Sequence, residues 1–131
     1  MADNKKKSVK ILVVEDDEAS RIIFGRFLDQ MGFSNVVLAE NGKVALEKLN
    51  LNHVGLIISD WRMLDMDGLE LYWKAKNEGL LGKAPFLMVS AENERGKVIE
   101  ALRAGVNDYI VKPVSFKTLQ AKVKKLLNSQ E

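Results

Sequence analysis

The sequence predicts an α/β domain: a five-stranded parallel sheet with helices on both faces. Three observations carry that prediction. Five short apolar runs alternate with five stretches of helical period along the 131 residues, the pattern of parallel strands joined by right-handed crossovers. Four of those runs stop abruptly at polar residues: the first at Glu15-Asp16-Asp17, the third at Asp60, the fourth at Ser90 and the fifth at Lys112. No internal repeat or low-complexity linker divides the chain, whose length is that of one domain. A domain over 9–128 is expected, preceded by a flexible basic tail at 1–8.

Each element has its own justification. Residues 9–14 form an apolar strand, and from Asp17 the spacing becomes helical. Ala19, Ile23, Phe27 and Met31 recur at i, i+4, Phe24 and Leu28 widen the stripe, and Gly32 stops the helix. The second strand, 35–39, centres on Val36, Val37 and Leu38 and breaks at Asn41-Gly42. A short helix over 44–49 turns Ala45 and Leu49 inward. Leu56-Ile57-Ile58-Ser59 within the third strand, 55–59, is β-branched and short, the mark of a strand buried on both faces. A helix over 68–77 runs through Leu69, Tyr72 and Trp73 and closes at Gly79. Pro85 opens the fourth strand, 86–89. A helix over 94–104 directs Val98, Ala101 and Leu102 inward and stops at Gly105. The fifth strand is 108–111, and a last helix over 115–127 carries Phe116, Leu119, Val123 and Leu127 on one face.

Composition removes several function classes. With no cysteine, disulfides, zinc–thiolate sites and thiol catalysis are excluded. A net charge of +2 gives no argument for nucleic acid or membrane partners. No run approaches the ~18 apolar residues of a membrane span, and the Lys5-Lys6-Lys7 triplet is not followed by the apolar core of a signal peptide. A soluble, cytoplasmic protein is expected. His53 sits in a polar turn and reads as solvated; Trp61 and Trp73 read as packing or rim residues.

In a parallel sheet every strand's carboxyl end lies on one edge, where ligands of open α/β sheets bind. Glu15, Asp16, Asp17, Asp60, Ser90 and Lys112 should therefore meet in one cleft. Taken singly, each has a plain explanation: Asp16 or Asp17 as a helix cap, Ser90 as a turn residue, Asp60 as a loop cap, Lys112 as a partner for the nearest acid. Together they point elsewhere. Converging carboxylates repel, one lysine cannot neutralise them, and a hard divalent cation such as Mg²⁺ can. Metal, hydroxyl and ammonium are what a phosphoryl group needs, because catalysis of its transfer is chiefly charge stabilisation. Asp60 is then the nucleophile.

The motifs Val13-Val14-Glu15-Asp16-Asp17, Ser59-Asp60-Trp61-x-Met63, Met66-Asp67-Gly68, Val89-Ser90-Ala91 and Tyr109-Ile110-Val111-Lys112-Pro113 resemble the receiver domains of two-component response regulators, most closely the single-domain chemotaxis regulators. The resemblance spans nearly all of 9–127. It implies a flavodoxin-like, doubly wound sheet of order 2-1-3-4-5, for which this family is a standard illustration. It further implies that Asp60 accepts a phosphoryl group from a histidine kinase. Asp16 and Asp60 would hold Mg²⁺ directly, Glu15 through water, and Arg62 through its carbonyl. Ser90 would hydrogen-bond the phosphoryl group, Lys112 would ion-pair with it, and Tyr109 would be a switch turning inward; a half-buried ring at a strand edge is the plain alternative for Tyr109. The Lys112–Pro113 bond is expected to be cis. The output would be tighter binding of an effector such as a flagellar motor switch protein, with a phosphatase ending the signal, through a face bearing Glu92, Tyr109 and Lys122. The protein would be a monomer and a signalling protein, not an enzyme with a separate substrate.

Two departures stand out. Leu64 replaces the family's usual proline, and Arg62 is bulky and cationic. An Arg62–Glu92 ion pair is expected to shield the phosphoryl group from water; a solvated pair of little consequence is the alternative. Three other functions stay open: a phosphorelay intermediate, a binding module that works unphosphorylated, and a Mg²⁺-dependent aspartyl-phosphate phosphatase. The last wants a second acid two residues after the nucleophile, where Arg62 stands.

Overall fold

The computed structural model describes residues 8–91 and 95–128. Most of the basic tail, Glu92 with its expected pair to Arg62, and the expected helix start at Glu94 lie outside the described residues.

Five apolar runs form the strands β1 (Ile11–Val14), β2 (Val36–Ala39), β3 (Leu56–Asp60), β4 (Phe86–Ser90) and β5 (Asp108–Val111). All neighbours pair in parallel, in the order β2-β1-β3-β4-β5. This is the expected doubly wound, flavodoxin-like sheet. The helices between them are α1 (Glu18–Gln30), α2 (Gly42–Leu51), α3 (Gly68–Asn77), α4 (Arg95–Ala104) and α5 (Phe116–Asn128).

Side-chain alternation along each strand divides the core in two. Ile11, Val13, Leu56, Ile58, Leu87, Val89 and Ile110 face α1 and α5, packing with Phe24, Leu28, Leu119 and Val123. Leu12, Val14, Ile57, Phe86, Met88 and Tyr109 face the other way, against Ala45, Leu49, Leu71, Tyr72 and Ala101 of α2, α3 and α4. The three inner strands β1, β3 and β4 are buried throughout. No helix among the described residues is long and apolar enough to cross a membrane.

Some expectations need correction. In α1 the buried residues are Phe24 and Leu28, with Met31 buried at the C-cap, whereas Ala19 is exposed and Ile23 is 47% exposed. Apolar residues occupy two adjacent stripes of this helix; the one aimed between the sheet and α5 is buried, and of the other Phe27 is half-buried edge-on to Phe116 of α5 while Ile23 stays exposed. Leu102 and Trp73 likewise point outward, because α4 seats on the sheet through Ala101 and α3 through Leu71, Tyr72 and Ala75. Strands β3 and β4 each run one residue further than expected. Asp60 pairs with Val89 and Ser90 with Val111, so both polar residues belong to the ladder itself.

Candidate functional site

At the carboxyl edge, Glu15 follows β1 and is still held in the sheet, its N–H donating to the Ala39 carbonyl at 3.0 Å. It is almost fully buried, while Asp16 is exposed. Asp17 takes the capping role: its carboxylate accepts from the Ser20 N–H at 2.9 Å, and hydrogen bonding to the Ser20 side chain, then to that N–H, holds its carboxyl below the ordinary value. Glu15 and Asp16 are thereby left to the cleft.

Asp60 ends the central strand β3 and is 8% exposed. Its Oδ1 accepts from the Trp61 N–H at 2.8 Å. Its Oδ2 faces Lys112 Nζ at 3.4 Å, and the same ammonium lies 2.9 Å from Glu15 Oε2. One oxygen each from Glu15, Asp16 and Asp60 falls within 4.8 Å of the others. Burial, then the Glu15 charge beside it, pushes the Asp60 carboxyl up to about 6 against the pull of Lys112. Burial also works against the Lys112 ammonium, but the Glu15 hydrogen bond and the Asp60 charge outweigh it and hold its pKa above the ordinary value. Upward shifts on acid and base alike, each favouring the protonated form, mark a crowded anionic cleft with one cation too few. An all-oxygen donor set of this kind fits a hard divalent cation such as Mg²⁺.

The remaining residues surround this pair. Ser90 ends β4, buried, and its carbonyl accepts the Lys112 N–H at 2.8 Å, which ties the hydroxyl-bearing strand to the ammonium-bearing one. The Lys112–Pro113 peptide is cis. Tyr109 is 7% exposed and already lies inward, edge-on to Trp61 at 6.2 Å and 74°. Arg62 and Leu64 are exposed, Leu64 at 80%, and Asp65 beside them is left-handed with φ 70°. Without proline the loop reaches its turn through that aspartate, a residue type that tolerates the conformation. Lys122, expected as an output contact, is engaged by Asp108 at 2.8 Å.

The family of response regulator receiver domains matches residues 11–124. The chain belongs to that family. Chemotaxis protein CheY1 of Helicobacter pylori is 37% identical over 124 residues, covering 94% of this chain and 100% of CheY1. Chemotaxis protein CheY of Pseudomonas aeruginosa is 37% identical over 118 residues, 90% of this chain and 95% of the relative. Among solved structures, the receiver domain of the Francisella response regulator 1452 superposes with a TM-score of 0.87 at 28% identity, over 95% of this chain and 100% of that one.

Three features of this receiver domain were not read from the sequence. The Trp61 N–H that fixes Asp60 is a backbone group, invisible to residue-type reasoning. Arg21 Nη1 donates to the Glu15 carbonyl at 2.7 Å, a contact between helix and strand end. Gly68 donates its N–H to the Trp61 carbonyl at 2.7 Å, and a Cβ there would collide with the Asp60 carbonyl oxygen and crowd Met88 Sδ. Only for Gly68 did a signal exist, a glycine where the backbone must approach closely.

Proposed function

We propose that the chain is a phosphorylation-dependent signalling switch of a two-component system, in which a histidine kinase transfers a phosphoryl group to Asp60. The observation that carries this reading is the crowding of Glu15, Asp16 and Asp60 within 4.8 Å around a carboxylate reached by one lysine. In the transfer, an Asp60 oxygen forms the new O–P bond as the donor's N–P bond breaks, and the imidazole leaves with the electron pair. Asp16, Asp60 and the Arg62 carbonyl would hold Mg²⁺ directly and Glu15 through water. Bound there, the ion supplies the positive charge that lets an anionic nucleophile approach an anionic phosphoryl group. Lys112 supplies a second positive charge, and Ser90 a hydrogen bond to a phosphoryl oxygen.

The product adds about −1.5 to −2 charge at the rim. Ser90 and Lys112 follow it, and because their strand ends are linked, β4 and β5 shift together, with Tyr109 as the internal sensor. The names of the CheY relatives favour chemotaxis, with a flagellar motor switch protein as the effector and a phosphatase as the off signal. We read residues 9–128 as the receiver domain of a cytoplasmic monomer. Incubation with acetyl phosphate and Mg²⁺, followed by peptide mass mapping, tests the central claim. A phosphoryl adduct at Asp60, lost on chelation and in Asp60→Asn, is expected; no adduct, or one at another residue, refutes it.

A further inference from the structure

Trp61 occupies an unusual position in this cleft. Its backbone N–H holds Asp60 Oδ1 and shares itself with the Val89 carbonyl at 3.2 Å. Its own carbonyl is bound by Gly68. The residue after the reactive carboxylate is thus the joint at which β3, β4 and α3 meet. Its side chain extends the joint to two further elements. The indole is 7% exposed, meets Tyr109 of β5 edge-on, and carries the Lys97 ammonium of α4 above its face at 5.6 Å from the centroid. Glu100, one turn further along α4, lies 3.6 Å from that ammonium and steadies it on the same helix face.

The contact matters because α4 is thinly attached. Ala101 is its only fully buried residue among those described, Val98 is partly covered, and Ile99 and Leu102 are 36% and 43% exposed. A cation over a buried indole therefore adds a link between this helix and the acidic edge.

We propose that Lys97 is a positioning residue for the phosphoacceptor: its ammonium clamps the Trp61 indole, and through it the N–H that aims Asp60, so that α4 and the reactive carboxylate are coupled through one ring. The inference rests on Asp60 being the acceptor. If Lys97 steadies the arrangement that presents the carboxylate, removing it weakens capture of a phosphoryl group by the strength of the contact. By linkage, occupancy of the site in turn tightens α4.

The test uses the full chain with Mg²⁺ and beryllofluoride, a phosphoryl mimic, with bound fluorine read by NMR. Lys97→Ala and Lys97→Met should each weaken binding about two- to five-fold, and Lys97→Arg, which also stacks on indole, should restore it. In a Trp61→Leu background, or Trp61→Met should Leu fail to fold, Lys97→Ala should cost less than in the parent. Equal affinity of Lys97→Ala and the parent overturns the clamp and leaves the acceptor reading standing. An undiminished loss in the Trp61 variants overturns it too, because the charge would then act on the ligand directly. Failure of the parent to bind beryllofluoride overturns the acceptor reading, and the clamp with it.

Discussion

Replacing Asp60 by Asn should make the metal-free protein more stable, although it alters the residue on which the proposed function depends. Asparagine keeps an oxygen for the Trp61 N–H and leaves Lys112 its shorter contact to Glu15, so only a charge is lost. That charge is held unfavourably, since the Asp60 carboxyl rises from 3.8 to about 6 on folding. A rise of about two units corresponds to about 3 kcal/mol of differential stability; screening at the open rim reduces this to roughly 1–2 kcal/mol. The sign follows from linkage. The folded state binds the Asp60 proton more tightly than the unfolded chain, so stability is fully present below the unfolded value near 3.8 and lost as pH rises through about 6. Asp60→Asn removes that loss. Urea unfolding in chelator should show the gain near pH 7.5 and only about a third of it near pH 4.5. The melting temperature near neutrality should rise by roughly 3–8 °C. A destabilised variant, or a gain independent of pH, would refute the crowded-carboxylate account.

Lys112→Met leaves Glu15 and Asp60 without their shared cation and should lower metal-free stability near neutrality by about 2 kcal/mol, measured by urea unfolding, with Mg²⁺ restoring part of it. Mg²⁺ should raise the melting temperature of the parent, an increase of about 1.4 kcal/mol at ten times its dissociation constant. Asp16→Asn should abolish that increase while leaving metal-free stability within about 0.5 kcal/mol, because Asp16 is exposed. Gly68→Ala should cost at least about 2 kcal/mol, since its Cβ meets backbone that cannot retreat. Calorimetry reads both effects.

The strand ends were legible because two independent signals coincide there. A short, continuous apolar run must be buried on both faces, and a carboxylate or lysine ending it must leave the core at the rim. This puts Glu15, Asp60, Ser90 and Lys112 on one edge from the sequence alone. Helix faces were less legible. In α1 Ile23 and Phe27 are as apolar as Phe24 and Leu28, and only the position of α5 decides which stripe is covered. Ile23 stays exposed on a groove it shares with Phe24, Phe27 and Val114 beside Lys112, while Phe27 is half-buried edge-on to Phe116 of α5. The Lys97–Trp61 contact joins residues far apart in sequence through no shared period, so no pattern could announce it. The strand order came from resemblance, since alternation alone permits several orders of the same five strands.

The register of the sheet has a consequence for how this chain can vary. Acids arrive from β1 and β3, the hydroxyl from β4 and the ammonium from just beyond β5, with Asp60 level with Val89 and Ser90 with Val111. Deleting a single residue inside β3 would turn Asp60 onto the opposite face of the sheet, away from its partners. The segment 78–84 joins α3 to β4 at the far edge, where added length displaces nothing reactive. Insertions should therefore be absorbed there, whereas the four strands feeding the cleft must keep their residue count.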